Sequence, residues 1–430
     1  MLDFYSGLKI QQSSSLKKKN YWFWGSIIIN LGFLGVFKYY NFFIESFAQA
    51  LSLIDVHIDL WTLQVILPVG ISFYTFHGLS YVIDIKKDRI TAERNFINYA
   101  VFVSFFPLLV AGPIERATHL LPQIKKERIF NYSKAVNGLR QILWGLFKKV
   151  VIADQCAELA NVIFNNSSEH SGLTLLAGAF FFTIQIYGDF SGYSDIALGT
   201  AKLFGIELIQ NFSFPYFSRN IAEFWRKWHI SLSSWFRDYL YIPLGGSKGG
   251  NLMKIRNTFV IFIVSGFWHG ANWTFIVWGF INALYIMPSI LLNKNKVNME
   301  VVAKNKIFPS FKEIYSIAFT FALTLLAWIF FRAENLSHAI SYIKNMLAGL
   351  FTQWAYDKSF NFIEWNVPPA LPLLLLFGFL TEWAGRDSEF ALQKIGLSWP
   401  YSIRIFFYVC ILMSIFIFAG KDEQFIYFQF

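Results

Sequence analysis

Two histidines stand where the sequence could do acid–base chemistry. His229 lies in "FWRKWHISLS" and His269 in "SGFWHGANW", both among aromatic and aliphatic residues. A neutral imidazole held away from bulk water can take a proton from a hydroxyl and pass it to a leaving group. His269 is preceded by "NTFVIFIV" and followed by "TFIVWGFINALYIM", so its ring enters a greasy environment with Trp268 beside it. A packed histidine bonded to backbone fits the same pattern. Asn272 could orient the ring, or it or an indole N–H could stabilise an oxyanion, if the segment is helical; Gly270 works against that helix.

The segment holding His229 runs "NIAEFWRKWHISLSSWFRDYLYIPLGG", residues 220–246. Asn220 with Glu223 three residues on is a capping-box pattern, and Pro243 ends the helical signal, so one helix is expected to about Tyr241. On that helix Arg226, His229, Ser233 and Arg237 share a stripe, and Ile221, Trp228, Leu232 and Trp235 take the opposite face. The plain reading is an interfacial helix with arginines at headgroups and Trp225 and its neighbours in the aromatic belt. One histidine centred on the basic stripe argues for a site.

A third stretch, "IYGDFSGYSDIALG", carries Asp189, Ser191 and Asp195 directly after an apolar run. Carboxylates at membrane depth are costly unless paired or hydrated, so they mark sites or structural ion pairs, here expected with Arg226 or Arg237. Gly188 and Gly192 permit a kink or close helix packing. "GGSKGG", residues 245–250, could cradle a phosphate, but it lacks the Walker spacing and reads first as a loop. No G-x-S-x-G elbow, metal-binding histidine cluster or dinucleotide fingerprint is present.

The elements that must position these residues are membrane helices. The 430-residue chain is 55% hydrophobic and 20% aromatic, with only 15% charged residues, against roughly 25% in a soluble domain. Its net charge of +10 sits in short clusters, "KKK" at 17–19, "KKDR" at 86–89 and "KKER" at 125–128. Clusters of that kind follow the positive-inside rule and argue against a nucleic-acid partner. The two cysteines give no disulfide framework or zinc site. The polar, basic start shows no cleavable signal peptide.

Apolar runs at 21–44, 61–83, 173–187, 314–331, 370–383 and 402–418 are the expected spans. The 138–164 run and the 258–292 region are less simple candidates. The segment between Ile44 and Trp61 has no Lys or Arg, so it faces outward and the flanking basic loops face the cytoplasm. Residues 98–112 have basic clusters on both sides and read as a partial, re-entrant or interfacial element. Only 37 residues separate Arg256 from Lys294, short for two spans and a turn. Either the hairpin is tight or its apex, with His269, stays buried in a funnel; the latter is expected.

In order along the chain, "LPVGISFYTFHGLSYVID", "LVAGPIERATHLLPQI", "IYGDFSGYSDIALGTAKLFGI", "NFSFPYFSRNIAEFWRKWHISLSSWFRDYLYIPLGG" and "VSGFWHGANWTFIVWG" resemble the membrane-bound O-acyltransferase family. The "YIPLGG" ending resembles its alginate O-acetyltransferase-like branch, and "FWRKWHISLS" is shared with its D-alanyl transfer branch. The resemblance implies a single all-α, polytopic domain over residues 1–430, with its core motifs at 186–290. About 8–11 transmembrane or re-entrant helices would surround a central funnel, with amphipathic interfacial helices. One or two N-terminal helices usual in the family are missing from this pattern.

The resemblance also implies a multi-pass protein of the bacterial inner membrane. It would pass an acyl group, in most cases acetyl, from a cytoplasmic thioester such as acetyl-CoA to an extracytoplasmic hydroxyl. No tightly bound cofactor or metal is expected. Arg226, Arg237 or Lys248 would meet the donor's phosphates. The Trp-His-Gly histidine matches His269 and the Arg-x-Trp-His histidine matches His229; both are tied to activity in the family. A polysaccharide acceptor and a separate SGNH-type acetyltransferase are the implied partners. D-alanyl transfer, or a conduit using the histidines and aspartates as a proton or solute path, are the alternatives.

Overall fold

The computed structural model describes residues 1–65, 68–170, 172–420, 423, 425 and 426, the side chains of 353–357 excepted. It is 71% helical, with no strand among the described residues, so the all-α membrane architecture is borne out.

Helix α1 (Leu2–Gln12) packs on α2 (Leu16–Leu34). A π-helical turn then joins α2 to α3 (Tyr40–Ser52) in one long apolar rod. The run expected as a span over 61–83 is helical only in α4 (Ile71–Lys86). Residues 61–65 are non-helical, 66 and 67 lie outside the described residues, and Gly70 caps α4 in the left-handed region.

Helix α5 (Phe96–Val103) has eight residues, about 12 Å of rise, too short to cross a bilayer. It gives way to a turn at Pro107 and to irregular backbone as far as α6 (Ala117–Lys125). The partial element expected over 98–112 is thus present. Next come α7 (Tyr132–Leu146), a π-helical stretch (Phe147–Ala153) and α8 (Asp154–Asn165). Helix α9 (Leu173–Leu203) follows as a continuous 31-residue helix, so the aspartate stretch extends the apolar run.

Short helices α10 (Ile221–Lys227) and α11 (Ile230–Phe236) come next. After them are α12 (Gly250–His269), α13 (Trp273–Leu291), α14 (Phe311–Arg332) and α15 (Leu336–Gly349). Helices α16 (Gln353–Asn366), α17 (Ala370–Ala384) and α18 (Tyr401–Phe418) complete the chain. Among the described residues, five helices are long and apolar enough to cross a membrane, or up to six if the bent α16–α17 pair counts as one.

Two close approaches set the site. Lipid supplies no hydrophobic force between helices, so small residues that let backbones meet decide which helices pack. A Cβ on Gly145 of α7 would lie 2.6 Å from the Gly192 carbonyl of α9, and one on Gly192 would lie 2.8 Å from that of Gly145. Gly192 therefore serves packing, and no kink follows it.

In the α12–α13 hairpin, a Cβ on Gly266 would lie 2.1 Å from the Phe275 carbonyl. Gly266→Ala should destabilise the protein by about 1–3 kcal/mol through this overlap, read as a lower thermal midpoint in detergent. An unchanged midpoint would contradict the packing.

The hairpin is made of two long helices joined by a tight turn, and its apex stays packed, with Trp268, Thr274 and Phe275 buried. Helix α12 starts six residues before Arg256 and has 20 residues, and α13 has 19, each about 30 Å long. The missing length came from residues ahead of the arginine. The apex reaches Ser46 through Trp273 (3.2 Å) and the Glu334 carbonyl through Asn272 (2.8 Å).

Candidate active site

The helix expected over 220–241 is broken at the histidine. Asn220 does cap α10, accepting from the Glu223 N–H at 2.8 Å. The Glu223 carboxylate reaches the backbone N–H of Arg219 at 2.9 Å, one residue before the cap. Trp228 is then extended and His229 adopts φ 45°, ψ 55°. That left-handed conformation costs a non-glycine residue about 1–3 kcal/mol and concentrates at functional sites.

Tertiary bonds hold the break. Ser213 N–H donates to the Lys227 carbonyl at 3.0 Å and Ile230 N–H to the Asn211 carbonyl at 2.9 Å. The 211–213 segment thus takes the bonds that a continuous helix would have used. The basic stripe does not form. Arg226 donates to the carbonyls of Asn295, Val297 and Asn298, and exposed Arg237 pairs with Asp238 at 2.7 Å. Ser233 lies one helical turn beyond His229, half-buried on α11. The apolar face does survive the break, because Ile221, Trp228, Leu232 and Trp235 are all buried.

Breaking the helix turns His229 into the core, where it is 1% exposed. It meets His269 there. The ring centroids are 6.5 Å apart with 62° between the planes. Around His269 stand Trp268 (4.9 Å), Trp278 (5.3 Å) and Phe331 (5.2 Å), each edge-on. Trp268 also touches His229 at 6.2 Å and stacks on Phe76 of α4 at 5.3 Å. Trp225 stands one ring further out, against Trp278 at 5.7 Å. His269 keeps partial exposure, whereas His229 is buried.

The end of α12 explains why His269 is held still. A helix C-terminus leaves carbonyls unpaired and carries partial negative charge. Lys38 of the α2–α3 rod answers both, donating to the Trp268 carbonyl at 2.8 Å and the His269 carbonyl at 2.9 Å. Its signal in the sequence was a lone lysine inside an apolar run. Asn272 caps α13 through the Thr274 N–H at 2.9 Å. Its side chain is therefore used in the turn and at Glu334, and does not orient the His269 ring.

Asp189, Ser191 and Asp195 form a second cluster on α9. Their cations are lysines, correcting the expected arginines. Lys149 bridges Asp189 (2.8 Å) and Asp154 (2.7 Å), and Lys148 binds Asp195 (2.7 Å) and Ser191 (2.8 Å). Gln141 donates to Asp195 at 2.9 Å, and Tyr187 to the Glu382 carboxylate at 2.9 Å. The Gly145–Gly192 approach brings these two helices together. The sequence signal was "KK" within "LWGLFKKVVIAD", two lysines at membrane depth that demand partners.

Part of this cluster lines a crevice with about 330 Å³ of empty space, whose walls include Lys148, Tyr187, Ser191, Asp195 and Glu382 and also Asn211, the residue bonded to His229. An apolar crevice of about 400 Å³ shares Lys148, Tyr187 and Glu382 and continues between the end of α7, the π-helical stretch after it, α9 and α17. Among the described residues no group of three or more His, Cys, Asp or Glu side chains is placed to hold a metal.

A deep break carrying one histidine faces a hairpin end carrying another, and two imidazoles placed this way can move protons. Residues 85–326 match the model of the membrane-bound O-acyltransferase family. The whole chain is 33% identical to a peptidoglycan O-acetyltransferase of Helicobacter pylori, covering 86% of that protein. It is 39% identical to a probable alginate O-acetylase, AlgI, of Pseudomonas syringae over 85% of this chain and 65% of that protein. A teichoic acid D-alanyltransferase of Bacillus subtilis is 25% identical over 63% of this chain and 70% of its own length. With the matched region holding both histidines, the aspartate helix and the α12–α13 hairpin, the chain belongs to the membrane-bound O-acyltransferase family and is a multi-pass membrane acyltransferase.

Proposed function

We propose that this enzyme moves an acetyl group from a cytoplasmic thioester, acetyl-CoA, to a hydroxyl on an extracytoplasmic polysaccharide, working in the bacterial inner membrane. The observation that carries the reading is the His229–His269 pair, 6.5 Å between rings at the closed end of a membrane hairpin. One oxygen between them can lie within hydrogen-bond reach, about 2.6–3.2 Å, of an imidazole nitrogen on either side.

In this mechanism His269 takes the proton of the acceptor hydroxyl as its oxygen attacks the thioester carbonyl. The C–O bond forms, the C–S bond breaks, and the imidazolium returns the proton to the departing thiolate. His229 assists this proton transfer from the opposite side. The tetrahedral oxyanion needs a preorganised donor. The Trp268 indole N–H supports that role, because Nε1 is buried without a hydrogen-bond partner among the described residues. Arg226 and Arg237 are engaged elsewhere, so donor phosphates are left to Lys248 and the other cytoplasmic basic groups. Asp189, Ser191 and Asp195 act as the ionic frame behind His229.

The relatives' names support a glycan acceptor, alginate or peptidoglycan. An SGNH-type extracytoplasmic acetyltransferase completes the transfer where the acceptor lies beyond reach of the membrane. Deleting the gene from its host should remove O-acetyl esters from an extracytoplasmic glycan, measured by mass spectrometry. The intact gene should restore them, and one carrying His269→Ala should not. Unchanged ester content in the deletion strain would contradict this reading.

A further inference from the structure

We infer that Asn211 is a positioning residue that fixes His229 in its Nδ1–H tautomer and leaves Nε2 bare as a proton acceptor. The inference rests on the proposed acyl transfer for its purpose, but its geometry stands alone. Asn211 is 1% exposed, on the segment that breaks the 220–241 helix. Its Oδ1 lies 3.3 Å from the Ser231 backbone N–H. A backbone N–H can only donate, so this oxygen is an acceptor and the amide cannot be turned the other way.

Ser231 gives the same answer. Its Oγ accepts from the Ile114 N–H at 2.9 Å and therefore directs its own proton to Asn211 Oδ1, 2.8 Å away. Asn211 Nδ2 is turned to Ser194 Oγ at 3.3 Å. His229 Nδ1, 3.1 Å from Asn211 Oδ1, must then carry the ring proton.

In a neutral imidazole the other nitrogen is an acceptor. His229 Nε2 is buried and has no hydrogen-bond partner among the described residues. Leaving a buried acceptor unpaired is unfavourable, and a bound hydroxyl would remove that cost. Hydrogen bonding at one ring nitrogen setting the chemistry of the other is a general device of histidine sites. Here the amide oxygen of an asparagine supplies it, so His229 enters the reaction neutral and ready to accept.

The test is the ¹⁵N spectrum of histidine-labelled full-length protein in bilayers, with His229 assigned by its loss in His229→Gln. The expected wild-type signal is a protonated Nδ1 and a bare Nε2. A protonated Nε2 in the wild type would overturn the inference whatever the variants do. Asn211→Ala should give a mixture of tautomers, and Asn211→Asp should keep Nδ1–H.

With acetyl-CoA as the thioester probe, Asn211→Ala should lower kcat at least tenfold with KM within about twofold, and Asn211→Asp should recover most of the loss. A purely structural role would leave the tautomer of Asn211→Ala unchanged, and that result overturns the inference. If the wild type consumes no thioester, the proposed function fails while the spectrum still decides the tautomer.

Discussion

His269→Ala is expected to cut acyl transfer by about 10²–10⁴-fold, the usual contribution of a positioned general base. The amount of folded protein in the membrane should be unchanged. The ring is surrounded edge-on by Trp268, Trp278 and Phe331, which remain packed on one another, Trp278 and Phe331 at 5.2 Å. Lys38 grips the backbone carbonyl at this position and not the side chain, so the end of α12 stays pinned in the variant. A loss of turnover with a normal thermal midpoint separates chemistry from folding. Residual activity within a few-fold of wild type would remove His269 from the mechanism.

Lys149→Met is expected to have the largest effect on stability. Lys149 is the cation shared by Asp189 and Asp154, whose side chains are 2% and 9% exposed. Without it, two buried carboxylates face each other on α8 and α9. Breaking a buried pair from one side costs about 3–5 kcal/mol, a large part of the roughly 5–15 kcal/mol that holds a folded protein together. Detergent-solubilised Lys149→Met should yield little folded protein, measured by size-exclusion chromatography.

The double variant Lys149→Met with Asp189→Asn should recover part of the yield, because it removes one stranded charge. Lys134→Met is the control. Its pair with Glu207 is 51% and 62% exposed, and exposed pairs contribute about 0–1 kcal/mol. Equal yields from Lys149→Met and Lys134→Met would contradict the buried network.

The sequence carried the long-range plan well and the local geometry of His229 poorly. Hydropathy and basic loops locate the apolar helices because each lipid-facing helix must satisfy its own backbone. The short α5 followed from basic residues on both sides of it. The break at Trp228–His229 was invisible, since no proline or glycine stands there. It exists because the 211–213 segment takes the backbone bonds, an effect that local periodicity cannot register.

Asn211 was missed for the same reason. It touches His229 only after the chain has turned back on itself, and no spacing rule links residues 211 and 229. The lysines at 148 and 149 are legible in the sequence as cations that need partners. A pair of cations within an apolar run needs carboxylates at the same depth, and Asp189 and Asp195 on α9 were the available ones.

The most direct test of the two-histidine account is transfer across a sealed bilayer. Purified protein is reconstituted in liposomes with acetyl-CoA on the face carrying the basic loops and a glycan acceptor on the other. Thiol release and ester formation are followed together. The account predicts one ester per thiol released, both abolished by His269→Ala. Passage of solute through the protein with the thioester intact would contradict it.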